Sequence, residues 1–190
     1  MKEYFHGRLK VAVGDITKMD IDAIVNAANS SLMGGGGVDG AIHRAGGKAI
    51  LDECKRIREN DFPNGLPTGR AVITTAGNLP SSKVIHTVGP VWHGGDNNEE
   101  ALLEAAYRNS LDLAGAQVIR SIAFPGISTG VYGFPRDRAA IIAYGAIGTY
   151  FQRNTVPETV FLIFFTEDDY DIFVETVEQE HEQERDQESE

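Results

Sequence analysis

Two stretches of this 190-residue chain hold residue types whose spacing suits chemistry. In the first, Asn29 is followed by four consecutive glycines, residues 34–37, and then by Val38, Asp39 and Gly40. Four glycines in a row lose much backbone freedom on folding. A chain keeps them where its backbone must come close to something, or where several N–H groups must converge. Val38 opens a predicted helix, so the run leads free N–H groups into a helix N-terminus, an arrangement that binds anions. Asp39 is the odd member, because a carboxylate beside a phosphate cradle repels the ligand unless it has other work. The second stretch, residues 126–135, is another glycine-bearing loop behind a strand. Either loop alone reads as a tight turn. Together, with Asn29 and Asp39, they read as two sets of backbone donors around one anion.

Two regular patterns compete with that reading, and a metal set is a third possibility to weigh. Residues 35–40 fit G-x-G-x-x-G, with Glu59 about twenty residues on, as a dinucleotide fingerprint asks. Residues 26–33 separate those glycines from the preceding strand, which argues against it. Residues 126–130 fit the G-x-S-x-G nucleophile elbow, which would make Ser128 a nucleophile. That elbow needs a helix at once and a later histidine, and the only later one is His181 in an acidic tail. His6, His43, His86 and His93 form no ligand doublet and Cys54 is the single cysteine, so no metal site is expected. His43 lies four residues after Asp39 and shares its predicted helix face, where a structural contact is the expected role.

Alternating and continuous apolar runs predict strands at 9–13, 21–25, 71–75, 84–88, 121–124 and 159–165. Helical patterns cover 38–45, 49–58, 99–114, 136–151 and about 168–178. Strands alternating with helices imply an α/β protein, a three-layer α/β/α sandwich with a mixed, largely parallel sheet of about six strands. Residues 1–178 read as one domain. Residues 179–190 have no apolar periodicity and read as an acidic disordered tail.

Net charge is −11, but eight acids and one arginine fall within 175–190, leaving the body near −4. Such a chain lacks the basic footprint of a nonspecific nucleic-acid binder. A single cysteine, no apolar leader and no long apolar run point to a cytoplasmic protein without membrane insertion.

Asn29 with Gly36-Gly37-Val38-Asp39, Gly130-Val131-Tyr132-Gly133 downstream and Gly14-Asp15-Ile16 near the start resembles the macrodomain family, in its MacroD-type hydrolase branch. The resemblance covers nearly all of residues 7 to about 177. It implies a cleft for ADP-ribose at the strand ends. There Asp15 would accept from the adenine amine with Ile16 beside it, although from the sequence alone Asp15 also suits a turn cap. Phe165 would cover the adenine, where relatives often have tyrosine. Gly36, Gly37 and Val38 would hold the diphosphate from one side, and Ser128, Thr129, Gly130 and Val131 from the other. Tyr132 would lie against the distal ribose, which Asn29 and Asp39 would bind for hydrolysis. The implied activity is metal-independent and needs no cofactor. It releases ADP-ribose from ADP-ribosylated acidic side chains or from O-acetyl-ADP-ribose. A monomer is expected. The rival is a reader that binds ADP-ribose without turnover, for which Asp39 has no use.

Overall fold

The sheet is built from short apolar strands, and the computed structural model describes residues 1–188. In chain order the strands are β1 (Lys2–Tyr4), β2 (Leu9–Val13), β3 (Ala23–Ala28), β4 (Ala71–Thr75), β5 (Lys83–Val88), β6 (Ser121–Phe124) and β7 (Thr159–Phe164). The helices are α1 (Gly37–Gly46), α2 (Lys48–Asn60), α3 (Glu99–Ala116), α4 (Arg136–Arg153) and α5 (Glu167–Glu188). The seven strands lie in the order β1-β2-β7-β6-β3-β5-β4. Only β1 and β4, at the two edges, run antiparallel to their neighbours.

Period-two alternation in β3 splits its side chains between two cores. Ala23 and Val25 join the core under α3, α4 and α5, which includes Leu103, Ile147 and Phe173. Ile24 and Ala28 join the core under α1 and α2, which includes Ile42, Ile50 and Cys54. The sandwich therefore has three layers, as the element order implied. Among the described residues no helix is long and apolar enough to cross a membrane.

Three elements differ from the sequence expectation. β1 is a seventh strand, three residues long and too short to show a period. Its turn into β2 takes positive φ at Phe5, His6 and Gly7, and Phe5 stacks on Tyr144 at 4.7 Å. β3 runs on to Ala28, so Asn26 sits inside the strand rather than past its end. The acidic tail, expected disordered from residue 179, continues α5 to Glu188. His181 anchors this extension, its Nε2 lying 2.7 Å from the Tyr144 hydroxyl and its ring edge-on to the same side chain. Lys2 on β1 also pairs with Glu178. Residues 189–190, part of the expected tail, lie outside the described residues.

Candidate functional site

The parallel strands β2, β7, β6, β3 and β5 end on one edge of the sheet, where open α/β sheets carry their ligands. β3 and β6 pair only at Ala23–Ile122 and Ile24–Ala123, although β3 continues four residues further. Beyond that point the two strands are no longer paired with each other.

At the β2 end, Asp15 caps a short 3-10 turn, Ile16–Lys18. Its Oδ1 accepts from the Thr17 N–H at 3.0 Å and the Thr17 hydroxyl at 2.6 Å. The Thr17 hydroxyl bond holds the Asp15 carboxyl below its ordinary pKa. Asp15 is thus both the turn cap and an exposed carboxylate. Ile16 is buried beneath it. Phe165 follows β7, the neighbour of β2, and the Gly14 N–H donates to the Phe164 carbonyl at 2.9 Å. The two strand ends are stitched together, which brings Asp15 and Phe165 to one place. The Phe165 side chain is 82% exposed, unusual for so large an apolar group.

Residues 128–133 form the loop after β6, clamped at its base by buried Ile127 and Phe134. Phe134 N–H donates to the Ser128 carbonyl, Gly133 N–H to Gly130, and Trp92 N–H to Tyr132. No hydrogen bond among the described residues uses the N–H of Thr129, Gly130, Val131 or Tyr132. Val131 is fully exposed and Tyr132 half-buried. Ser128 takes φ +65° with its Oγ buried, and a Cβ on Gly89 would lie 2.2 Å from that oxygen. α4 begins only at Arg136, and His181 is bound to Tyr144. Ser128 therefore lacks the helix and the histidine of a nucleophile elbow.

The glycine run enters α1 with Gly36 as N-cap and no side-chain cap. The first N–H groups of a helix have no intrahelical partner, so those of Gly37 and Val38 point out of the helix end. A Cβ at Gly36 or Gly37 would meet nothing within 4 Å. Asn29 lies behind the run. Its Oδ1 accepts from the Ser31 N–H and hydroxyl, and its Nδ2 donates to the Gly34 carbonyl at 3.0 Å. Asp39, in the first turn of α1, is buried. The two meet at Gly35, where a Cβ would lie 3.0 Å from Asp39 Oδ2 and 3.2 Å from Asn29 Nδ2.

Burial lifts the Asp39 carboxyl above its ordinary pKa, opposed by a hydrogen bond from Asn26 and by His43. The Asn26 Nδ2 is 2.8 Å from Asp39 Oδ1, and His43 Nε2 is 3.4 Å from the same oxygen. The expected contact of His43 with the Asp39 face of α1 is present. Asn26 and His86 also belong to this site, and the motifs did not single them out, whereas Gly35 lies within the glycine run that they did. His43, Cys54 and His86 come together as well, with ligand atoms within 4.8 Å of one another, although no sequence doublet announces them. Both His86 nitrogens already have partners, Asn26 and Thr74. Burial pushes the Cys54 thiol up to about 12, with Asp39 and Glu53 adding to the shift. In this arrangement the Cys54 thiol is protonated and both His86 nitrogens are engaged within the protein.

The Macro domain family profile matches residues 25–143. The chain is 54% identical over 166 residues to an O-acetyl-ADP-ribose deacetylase of Escherichia coli strain K12, covering 87% of this chain and 93% of that one. The Oceanobacillus iheyensis macrodomain with ADP superposes with a TM-score of 0.85 at 48% identity over 90% of both chains. The Trypanosoma brucei macrodomain in complex with ADP-ribose gives a TM-score of 0.81 at 38% identity, over 90% of this chain and 69% of that one. With a family profile spanning most of the chain and relatives above half identity along nearly its whole length, the chain belongs to the macrodomain family.

Proposed function

We propose that this chain binds ADP-ribose along the C-terminal edge of its sheet and releases it by hydrolysis. The substrates are O-acetyl-ADP-ribose and proteins ADP-ribosylated on acidic side chains, with no metal taking part. The convergence of Asn29 and Asp39 on Gly35, at the donor-rich end of α1, carries this reading. The order of groups along the edge supports it. Asp15 and Phe165 lie at β2 and β7, the second glycine loop follows β6, and Asn29 follows β3. An adenine, a diphosphate and a distal ribose follow one another in the same order.

In this reading the Asp15 carboxylate accepts from the adenine amine, and the exposed Phe165 ring covers the base. The N–H groups of Gly36, Gly37 and Val38 on one side, and of residues 128–131 on the other, hold the diphosphate. An acidic protein can hold an anion this way without spending side-chain charge. Tyr132 lies against the distal ribose, and Asn29 orients the ribose hydroxyls. Water attacks the acyl carbonyl, the ester C–O bond breaks, and the ribose oxygen leaves with a proton as the carboxylic acid forms. Asp39 takes the proton from that water, or fixes the water while the substrate's own phosphate takes it. A carboxyl raised above its ordinary pKa suits the first role, being a stronger base than an exposed aspartate.

The test is release of ADP-ribose in single-turnover assays on both substrates, beside calorimetric titration with ADP-ribose. Asp39→Ala should keep ADP-ribose affinity within about tenfold and lose roughly 10²-fold or more in rate, the scale of one general base. A wild-type rate in the folded Asp39→Ala protein removes Asp39 from the chemistry. No turnover of either substrate by the wild type makes the chain a reader.

A further inference from the structure

Three neighbouring strands each place a polar side chain on the face beneath α1 and α2. Asn26 on β3 and His86 on β5 are direct register partners, and Thr74 on β4 reaches the same ring. Asn26 and His86 are fully buried and Thr74 is 2% exposed. Buried polar groups in an apolar core are costly unless paired, and their connections here lead to Asp39. Asn26 Nδ2 is 2.8 Å from Asp39 Oδ1 and 3.1 Å from His86 Nδ1. His86 Nε2 is 2.8 Å from Thr74 Oγ1, whose hydroxyl donates to the Thr75 carbonyl at 2.9 Å.

Each proton in this chain has one consistent place. An ionised carboxylate only accepts, so the amide atom facing Asp39 is the Asn26 nitrogen. The same nitrogen faces the imidazole, so His86 Nδ1 accepts and the ring proton sits on Nε2. Thr74 receives it, because its own hydrogen is committed to Thr75. If His86 gained a proton on Nδ1, two donors would face each other. Flipping the Asn26 amide to relieve that would set an oxygen against the Asp39 oxygen. The carboxylate position is thus tied to a neutral His86 with a fixed tautomer.

We propose that His86, acting through Asn26, is the positioning residue that fixes the Asp39 carboxylate for the reaction. The inference rests on the reading of Asp39 given above. The charged or titratable groups facing the ring are Asp39 and His43 from α1 and Cys54 from α2, with Cys54 Sγ 3.9 Å from Nε2. Burial, with His43 adding to it, pushes the His86 pKa down to about 3, so the ring stays neutral wherever Asp39 is ionised at working pH.

The test compares His86→Leu, which removes the acceptor, with His86→Asn, whose Oδ1 can stand where Nδ1 stood. His86→Leu should keep ADP-ribose affinity within about threefold and lose roughly tenfold to 10²-fold in single-turnover rate, the scale of a misplaced catalytic group. Its acidic limb in the pH–rate profile should move to higher pH, because Asn26, no longer held by Nδ1, weakens the hydrogen bond that lowers the Asp39 pKa. His86→Asn should regain most of the rate and the wild-type limb. A merely structural role would move neither limb nor rescue. Nitrogen-15 NMR of the wild type needs no variant, and should show His86 protonated at Nε2 only and not titrating between pH 5 and 8.

A wild-type rate and limb in folded His86→Leu, or an Nδ1-protonated or titrating ring, overturns the relay. Zinc binding one to one with shifts of the His43 and His86 rings would make the cluster a metal centre, and also overturns it. Asp39→Asn separates the two layers of inference. If it is slow while His86→Leu is not, the relay alone fails; if it turns over at the wild-type rate, the reading of Asp39 fails and the relay with it.

Discussion

Gly35→Ala isolates the contact on which the catalytic reading depends. The backbone at Gly35 does not have a positive φ, so alanine brings no conformational strain there. The added Cβ lies 3.0 Å from Asp39 Oδ2 and 3.2 Å from Asn29 Nδ2. An ordinary carbon–oxygen contact is ~3.4 Å, so Asp39 must retreat by roughly 0.4 Å or the loop must move outward by as much. Asn29 is held on three sides by Ser31 and Gly34, and Asp39 by Asn26, so neither moves freely. A 1 Å misplacement costs about 10²-fold in rate; a shift under half that size should cost about tenfold. Stability should fall by about 1 kcal/mol or less, at the mild end of overpacking, because residue 35 is exposed. Gly36→Ala is the control, since its Cβ meets no protein atom within 4 Å and Gly36 belongs to the loop assigned to the diphosphate. Gly36→Ala should therefore weaken ADP-ribose binding in calorimetry, whereas Gly35→Ala should spare binding and slow single-turnover release. Equal losses of affinity in the two variants, or a wild-type rate in Gly35→Ala, would refute this account of the pair.

Asp15→Ala should weaken ADP-ribose binding by about 1.5–3 kcal/mol, the range of a hydrogen bond to a charged group, and leave ribose-5-phosphate binding unchanged; unaltered calorimetric affinity for ADP-ribose would take Asp15 out of the site. Glu99 accepts from the His93 and Asn97 N–H groups at 2.9 Å each. Burial pushes its pKa up, but backbone bonds from Asn97, Glu99, His93 and Gly95 prevail and hold it down to about 2. A depressed folded pKa gives stability that is full above the unfolded value and is lost as pH falls from about 4.5 to about 2. Glu99→Gln should thus lower the melting temperature at pH 7, and the gap should close towards pH 2. Truncation after Glu178 removes the His181 bond to Tyr144, worth about 1 kcal/mol. The melting temperature should drop by about 2–4 °C with the rate of ADP-ribose release unchanged, and an unchanged melting curve would mean the extension contributes nothing.

Much of the candidate site is written in short stretches, which is why the sequence alone could mark its two glycine loops, while the roles of Asp15, Phe165 and Tyr132 came only from the family resemblance. The glycine run, Asp39 in the first turn of α1, Asp15 at the close of β2 and the second loop after β6 are short-range features. Each is fixed by strand ends, turn chemistry and helix starts that a few residues encode. The layer order was equally legible, because alternating strands and helices have few ways to bury their apolar faces. Boundaries depended on more distant contacts. β1 exists because β2 offers it an edge, and α5 extends past residue 178 because Tyr144 meets His181. Asn26 looked like the polar end of a strand, since an asparagine beside alanines carries no period of its own. Only the tertiary structure decided that it sits mid-strand, with His86 sixty residues away as its register partner and Thr74 on the next strand beyond. The reason is physical. A buried polar side chain is tolerable only with partners, and in a sheet those partners are chosen by strand order and register, which no local stretch of sequence contains.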